Sequence, residues 1–322
     1  MARKSSAGSQ SRIPSSWRRT KAFVVANVVL WGVLGGWYLF QPQARQREVA
    51  ALVGNAFDGR KQITAFEVAW DLWQLYYSHD YVAAVVPGDK THVYGGAPRL
   101  ELRAKVEALR ILANTGYVVG YSDELGNPLW SAYRVRDTEP REAPPRPDRF
   151  VVDMRTAARV DPDVYNRSGY DRGHLAPNFV IATRYGAQAQ AETFQMSNII
   201  PQKHALNAGL WKQLEQRIAA NYPGRFGEVW VLAGPVFGPK PEKLRRRVAV
   251  PEACYMIIVD ESEGRVRAEA FLFPADTPAE GSLENYVTTI DEIERRTDLD
   301  FLADLPDAAE AALEGRKVER VW

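Results

Sequence analysis

Residues 22–40, AFVVANVVLWGVLGGWYLF, form an apolar run with no charged side chain. At 1.5 Å rise per residue, these 19 residues span roughly 28 Å as a helix, close to the ~30 Å hydrocarbon core of a bilayer. Trp37 and Tyr38 stand near one end, where amphipathic rings suit a membrane interface. Beyond the run the pattern changes. Residues 42–63 are polar and mixed, and predict a stalk. Phe66, Ala69, Trp70, Trp73 and Tyr77 then recur at helical spacing and predict an amphipathic helix, its stripe destined for a core or a docking face. A polar stretch through Pro87-Gly88-Asp89-Lys90 leads to Tyr94-Gly95-Gly96.

From about residue 91 the signals are those of a folded domain. A turn at Asn114-Thr115-Gly116 precedes the apolar run Tyr117-Val118-Val119, the start of a strand. Trp130–Val135 alternates and reads as its partner. Residues 136–149 carry too much Pro and Arg for a regular element. Val229–Ala233, Cys254–Val259 and Arg265–Phe273 read as strands, and Leu206–Ala220 and Leu283–Arg296 as helices. Strands with segregated helices predict an α+β fold with a mixed or antiparallel sheet. The expected layout is a basic tail at 1–21, a transmembrane helix at 22–40, a stalk with its helix at 41–90, a catalytic domain at 91–310 and a C-terminal tail at 311–322.

Composition adds a normal core: 46% of residues are hydrophobic and 25% charged. The net charge of +1 conceals an asymmetry. Residues 1–47 hold eight Lys/Arg and no acid, which leaves 33 bases against 40 acids, or −7, for residues 48–322. A protein that held nucleic acid by bulk charge would be basic, so a polyanion must be held here by a local patch or a metal. Arg12, Arg18, Arg19 and Lys21 precede the apolar run and only Arg45 and Arg47 follow closely, which predicts a cytoplasmic tail with the rest across the membrane. A signal anchor fits best. A cleaved signal peptide would usually have a shorter apolar region, and an acid-free Arg/Ser-rich start also suits a mitochondrial presequence ahead of an inner-membrane anchor. The domain then lies in a periplasmic, extracellular or mitochondrial compartment. The single cysteine, Cys254, excludes an internal disulfide or a multi-cysteine zinc site and reads as a buried apolar residue.

Histidine occurs only at 79, 92, 174 and 204. His174 sits in Asp171-Arg172-Gly173-His174-Leu175-Ala176-Pro177, read from Gly173 and Pro177 as a loop. Ser197-Asn198 follow, then Asn207 opens a helical stretch in which 207, 211 and 215 share one side. An Asn carbonyl and a Glu carboxylate are hard donors that suit Mg²⁺, which keeps most of its waters. Taken alone they also fit an N-cap and a surface acid.

The runs DRGH–LAP, TFQMSNIIPQ and LNAGLWKQLE, in this order and spacing, resemble the DNA/RNA non-specific endonuclease family, which includes endonuclease G and secreted bacterial nucleases. The resemblance spans roughly residues 91–306. It takes in Tyr94-Gly95-Gly96, Gly234-Pro235-Val236-Phe237 and Ile290-Asp291-Glu292-Ile293-Glu294, and departs at Asp298, where the family often has Gly. It implies a ββα-metal (His-Me finger) fold with His174 as general base. Asn207 is implied as the direct ligand of one hydrated Mg²⁺, for which Mn²⁺ could substitute, and Glu215 as holder of metal-bound water. Arg172 and Asn198 would support the site and the phosphate, and Gln202 falls in the matching Pro-Gln pair. An upstream phosphate-binding arginine matches Arg146, with Arg149 second. The implied activity is hydrolysis of DNA and RNA backbones, with a homodimer and an inhibitor protein as conceivable partners. The alternatives are a silent nucleic-acid-binding protein on the same fold and a membrane-proximal phosphodiesterase. Within residues 131–185, ten Arg against eight acids give a local excess of +2 inside the acidic domain.

Overall fold

The computed structural model describes residues 15–61, 63–77, 80–84, 90–101, 104, 108–139 and 141–322, with side chains from residue 19 onward. The expected tail before residue 15, His79 and Pro87-Gly88-Asp89 lie outside the described residues. The chain divides into two units, Met1–Ala51 and Leu52–Trp322.

The first unit is dominated by the helix Ser15–Leu39. Its Arg19–Leu39 portion is long and apolar enough to cross a membrane, with a mean hydropathy of 1.7 over the best window and no buried residue. Phe23, Val28, Trp31 and Leu39 are all more than half exposed, which is the condition of a helix with no protein core to cover it.

The second unit is built on an eight-stranded sheet. Its strands run across the sheet in the order Val82–Ala83, Arg265–Pro274, Ala253–Ser262, Glu228–Val236, Asn127–Arg136, Val118–Ser122 and Arg110–Ala113, with Val287–Thr288 also paired to Arg265–Pro274. Every pairing is antiparallel. Side chains alternate across a strand, and here both faces are covered. Cys254, Met256 and Ile258 join one core with Leu210, Trp211 and Leu214. Tyr255, Ile257 and Val259 join the other with Ile290, Ile293 and Leu313. Double coverage explains why these strands read as continuous apolar runs rather than as a clean alternation.

Several boundaries differ from the sequence pattern. The helix expected over Phe66–Tyr77 is present at Ala65–Tyr77, but the stretch before it, read as a polar stalk, holds a further helix, Gln43–Phe57, and the second unit begins at Leu52, well before residue 91. The Ala65–Tyr77 helix is also turned over relative to its aromatic stripe. Phe66, Trp73 and Tyr77 are exposed, whereas Asp71, Gln74 and Leu75 are buried. The reason is a buried pair: Arg225 donates to both Asp71 oxygens, Nη2 at 2.6 Å and Nε at 2.9 Å. The expected C-terminal tail is not a tail either. Leu313, Val318, Val321 and Trp322 are core residues, and the Trp322 N–H donates to Glu269 at 3.1 Å. The segment Leu283–Arg296 is not one helix. It is a 3₁₀ turn at Leu283–Tyr286, a strand at Val287–Thr288 and a helix at Ile290–Thr297. Asp298 ends that helix in the left-handed region at φ 56°, a conformation glycine adopts freely and Asp tolerates. This accounts for the departure noted at that position.

Candidate active site

The motif Asp171–His174 is a strand rather than a loop. It pairs antiparallel with Ile199–Gln202, setting Asp171 opposite Gln202 and His174 opposite Ile199. Gly173 is needed in this ribbon, because a Cβ there would lie 1.9 Å from Gln202 Oε1. The ribbon runs into two helices, His204–Ala208 and Leu210–Ala220. They are not the single helix predicted. The break falls at Gly209, where a Cβ would meet Ala205 O at 2.3 Å and the Ala279 backbone at 2.5 Å.

His174 is half-buried at the end of its strand, its ring 5.5 Å from Phe150 and 5.2 Å from Phe194 between centroids. Nε2 is buried with no hydrogen-bond partner among the described residues. Burial, and then the nearby Arg146 cation, hold the imidazole neutral by lowering its pKa to about 3. Arg146 lies exposed over the Phe194 ring at 5.2 Å. Arg172 is anchored from behind: Nη2 donates to Pro162 O at 2.7 Å and to Asn166 Oδ1 at 2.8 Å.

Asp171 ties the ribbon to the first helix. Its Oδ2 accepts from Asn207 Nδ2 at 2.9 Å and lies 2.8 Å from His204 Nδ1. With Nδ2 engaged in this way, the carbonyl end of Asn207 is left for another partner. Glu215 Oε1 accepts from Trp211 Nε1 at 2.9 Å, one turn earlier. Burial pushes the Glu215 carboxyl up to about 8, against the pull of Trp211 and Lys212.

One cavity of about 740 Å³ is lined by Arg146, Arg172, His174, Asn207, Lys212 and Glu215, among others. Two other described cavities, of about 130 and 340 Å³, hold none of these groups. The cavity thus gathers five of the eight residues singled out from the sequence, without Asn198, Gln202 or Arg149. Asn198 is fully buried and spends its amide on main chain, accepting from Ala176 N–H at 2.9 Å and donating to Ala176 O and Thr193 O. It therefore positions the loop after His174 rather than touching a substrate. Gln202 also faces inward, donating to Cys254 Sγ at 3.7 Å. Arg149 does not line the cavity, which favours Arg146 of the two upstream arginines. Sequence reasoning missed Asn178, Phe179 and Lys212 on the cavity wall. Phe179 is 61% exposed and Asn178 Oδ1 is unpartnered. The only advance signal was their closeness in sequence to His174 and Trp211.

The family model for DNA/RNA non-specific endonucleases matches residues 97–308. The chain belongs to this family. As a family member it is similar to the mitochondrial nuclease EXOG of Danio rerio, 30% identical over 208 residues, covering 58% of this chain and 59% of that one. It is also similar to a nuclease of Nostoc sp., 29% identical, covering 64% of this chain and 78% of that one. Human mitochondrial endonuclease G is 27% identical, with 61% and 70% covered. The chain thus spans about three fifths of the zebrafish relative. Among solved structures, the EndoG/EndoGI complex described as showing the mechanism of EndoG inhibition aligns with a TM-score of 0.57 and 24% identity. The alignment covers 66% of this chain and 90% of that one. That likeness establishes the fold.

Proposed function

We propose that this chain is a membrane-anchored, Mg²⁺-dependent nuclease that hydrolyses phosphodiester bonds in DNA and RNA without reading sequence. The observation that carries the reading is the convergence of His174, Arg146, Arg172, Asn207 and Glu215, from distant stretches of chain, on one cavity. The ribbon and the helices after it would be the ββα-metal arrangement. The donor set fits the ion: among the described residues the Asn207 carbonyl has no hydrogen-bond partner, and Glu215 offers on the same wall a carboxyl that a bound cation would hold ionised. Mn²⁺ would be accepted by the same hard oxygens. When bound, the ion supplies charge that stabilises the non-bridging and leaving 3′-oxygens of the phosphodiester.

The protein's own groups do the rest. His174 is neutral and takes a proton from the attacking water. Its basicity is weak in the free site because burial, and then Arg146, disfavour the imidazolium. A phosphodiester seated on Arg146 offsets the smaller of these two effects and so raises the basicity of the ring. Arg172 is held by Pro162 and Asn166, so its fork is in place before substrate arrives and need not reorganise as charge develops. Lys212 adds a third cation. Contacts made to phosphate carry no sequence information.

The apolar Arg19–Leu39 helix supports a single-pass anchor, and the basic residues before it support a catalytic unit on the non-cytoplasmic side. The EndoG/EndoGI likeness supports an inhibitor protein as a partner class, and a homodimer is a second.

The test is cleavage of circular DNA and of single-stranded RNA by wild type and His174→Ala, with Mg²⁺ or with EDTA. Both substrates should be cut by wild type with Mg²⁺ only, and the variant should be slower by about 10²–10⁴-fold. Undiminished cleavage by His174→Ala sinks the mechanism, and tight binding without cleavage by wild type sinks the activity.

A further inference from the structure

On the sheet face away from the catalytic helices, the Ile290–Thr297 and Asp307–Glu314 helices carry facing carboxylates. One oxygen each from Asp291, Glu294 and Glu314 lies within 4.8 Å of the other two. Asp291 stands in the first turn of its helix, with Glu294 one turn on. Glu314 is the last residue of the other helix, where the carbonyl end of the dipole disfavours a carboxylate. The helices meet closely here, since a Cβ at Gly315 would be 3.3 Å from Asp291 Oδ2.

A row of surface acids needs no ligand, because water solvates it. Glu314 is different. It is only 5% exposed, and its Oε1 is buried with no hydrogen-bond partner. A buried, unpartnered carboxylate oxygen is costly, and more so beside two others of like charge. The arginines on the same helix are engaged elsewhere: Arg295 pairs with Glu292 and Arg296 with Glu252, both at 2.6 Å. Among the described residues, no ion pair joins Asp291, Glu294 or Glu314. Glu294 Oε1 is taken by the Phe301 N–H at 2.8 Å, which fixes that side chain and leaves its second oxygen for the centre.

We propose that Asp291, Glu294 and Glu314 hold a calcium ion that clasps the two helices together, separate from the nuclease centre. The donor chemistry selects the ion. Three carboxylates on two separate helices suit the flexible shell of six to eight oxygens that Ca²⁺ accepts, and their oxygens lie within 4.8 Å of one another. Mg²⁺ demands near-ideal octahedral geometry and gives up its waters reluctantly. Water completes the shell, and the ion is structural: none of the three carboxylates lines the cavity that holds His174.

The experiment uses the full chain carrying Asn207→Ala, which removes the ligand proposed for the nuclease metal, so that failure of one reading does not mimic failure of the other. Calcium chloride is titrated by calorimetry and by thermal unfolding. One Ca²⁺ should bind at about 10⁻⁴–10⁻³ M, raising the melting temperature by about 3–5 °C at ten times the dissociation constant. Mg²⁺ should do much less. Adding Glu314→Gln should abolish the calcium response while leaving the calcium-free melting temperature equal or higher, because the amide replaces an acid whose ionised form is disfavoured by burial and by the acids around it. Should that variant fail to fold, Asp291→Asn, at an exposed position, carries the same expectation of a weakened response. No binding in the Asn207→Ala protein, an equal response to Mg²⁺, or an undiminished response in the carboxylate variants would each overturn the site.

Discussion

Replacing Asp71 by Ala should strongly destabilise the second unit without touching its chemistry. Asp71 and Arg225 have side-chain exposures of 4% and 1% and meet through two hydrogen bonds, at 2.6 and 2.9 Å. Removing the carboxylate leaves a guanidinium buried and uncompensated, which typically costs about 3–5 kcal/mol. Two groups soften the loss. Asn221 Oδ1 still accepts from Arg225 Nη1 at 3.0 Å, and Glu67 lies 3.9 Å away. The lower part of the range is therefore expected, about 3–4 kcal/mol, or a fall in melting temperature of roughly 6–16 °C at about 2–4 °C per kcal/mol. Thermal unfolding of wild type, Asp71→Ala, Arg225→Met and the double variant closes a cycle, in which the second substitution should cost far less once the first is made. Specific nuclease activity well below the melting temperature should be unchanged. A drop of less than about 2 °C in Asp71→Ala, or additive single effects, would refute the claim that this pair docks the Ala65–Tyr77 helix.

Three further outcomes are expected. Glu269 is buried against the Tyr222 hydroxyl and the Trp322 N–H, and burial raises its pKa to about 7. The folded state therefore holds a proton that the unfolded chain has lost, so stability falls as pH rises from about 4.3 to 7, and Glu269→Gln should flatten that fall in chemical-denaturation curves. Gly209→Ala drives a Cβ into Ala205 O and the Ala279 backbone at 2.3 and 2.5 Å. Either backbone movement displaces Asn207 from Glu215, so plasmid nicking should collapse even in preparations whose circular dichroism remains native. Phe179→Ala removes an exposed ring from the cavity wall; if it stacks a base, KM for single strands should rise about 5–150-fold with kcat preserved, since such stacking contributes about 1–3 kcal/mol.

The sheet strands were readable because most of their apolar runs are long and β-branched, and the strand expected to start at Tyr117-Val118-Val119 does pair with the one expected at Trp130–Val135. The site residues were readable only because three motifs recur in one order, a likeness to a family rather than a derivation from spacing. What failed has physical causes. The aromatic stripe on Ala65–Tyr77 obeyed helical periodicity, but a buried ion pair on the opposite side decided which face turned inward. The break at Gly209 inside the helix expected over Leu206–Ala220 has a tertiary reason, two backbones within 2.5 Å. Asn198 carried a motif position, yet its bonds are all to the main chain, which no one-dimensional pattern distinguishes from a substrate contact. The C-terminal residues were short of periodic signal, and their burial depends on Glu269 and Arg267 lying across the sheet.

The sheet covered on both faces has a consequence for reading variants. Along Ala253–Val259, parity becomes an address. A change at 254, 256 or 258 presses on the layer that carries Trp211 and Leu214, and hence on the groups around His174. A change at 255, 257 or 259 presses instead on the layer of Ile290, Ile293 and Leu313, beneath the three carboxylates. Neighbouring residues of one strand, equally buried and equally apolar, should thus sort into two classes: odd positions that alter only how long the protein survives, and even positions that also alter what it cuts and how fast.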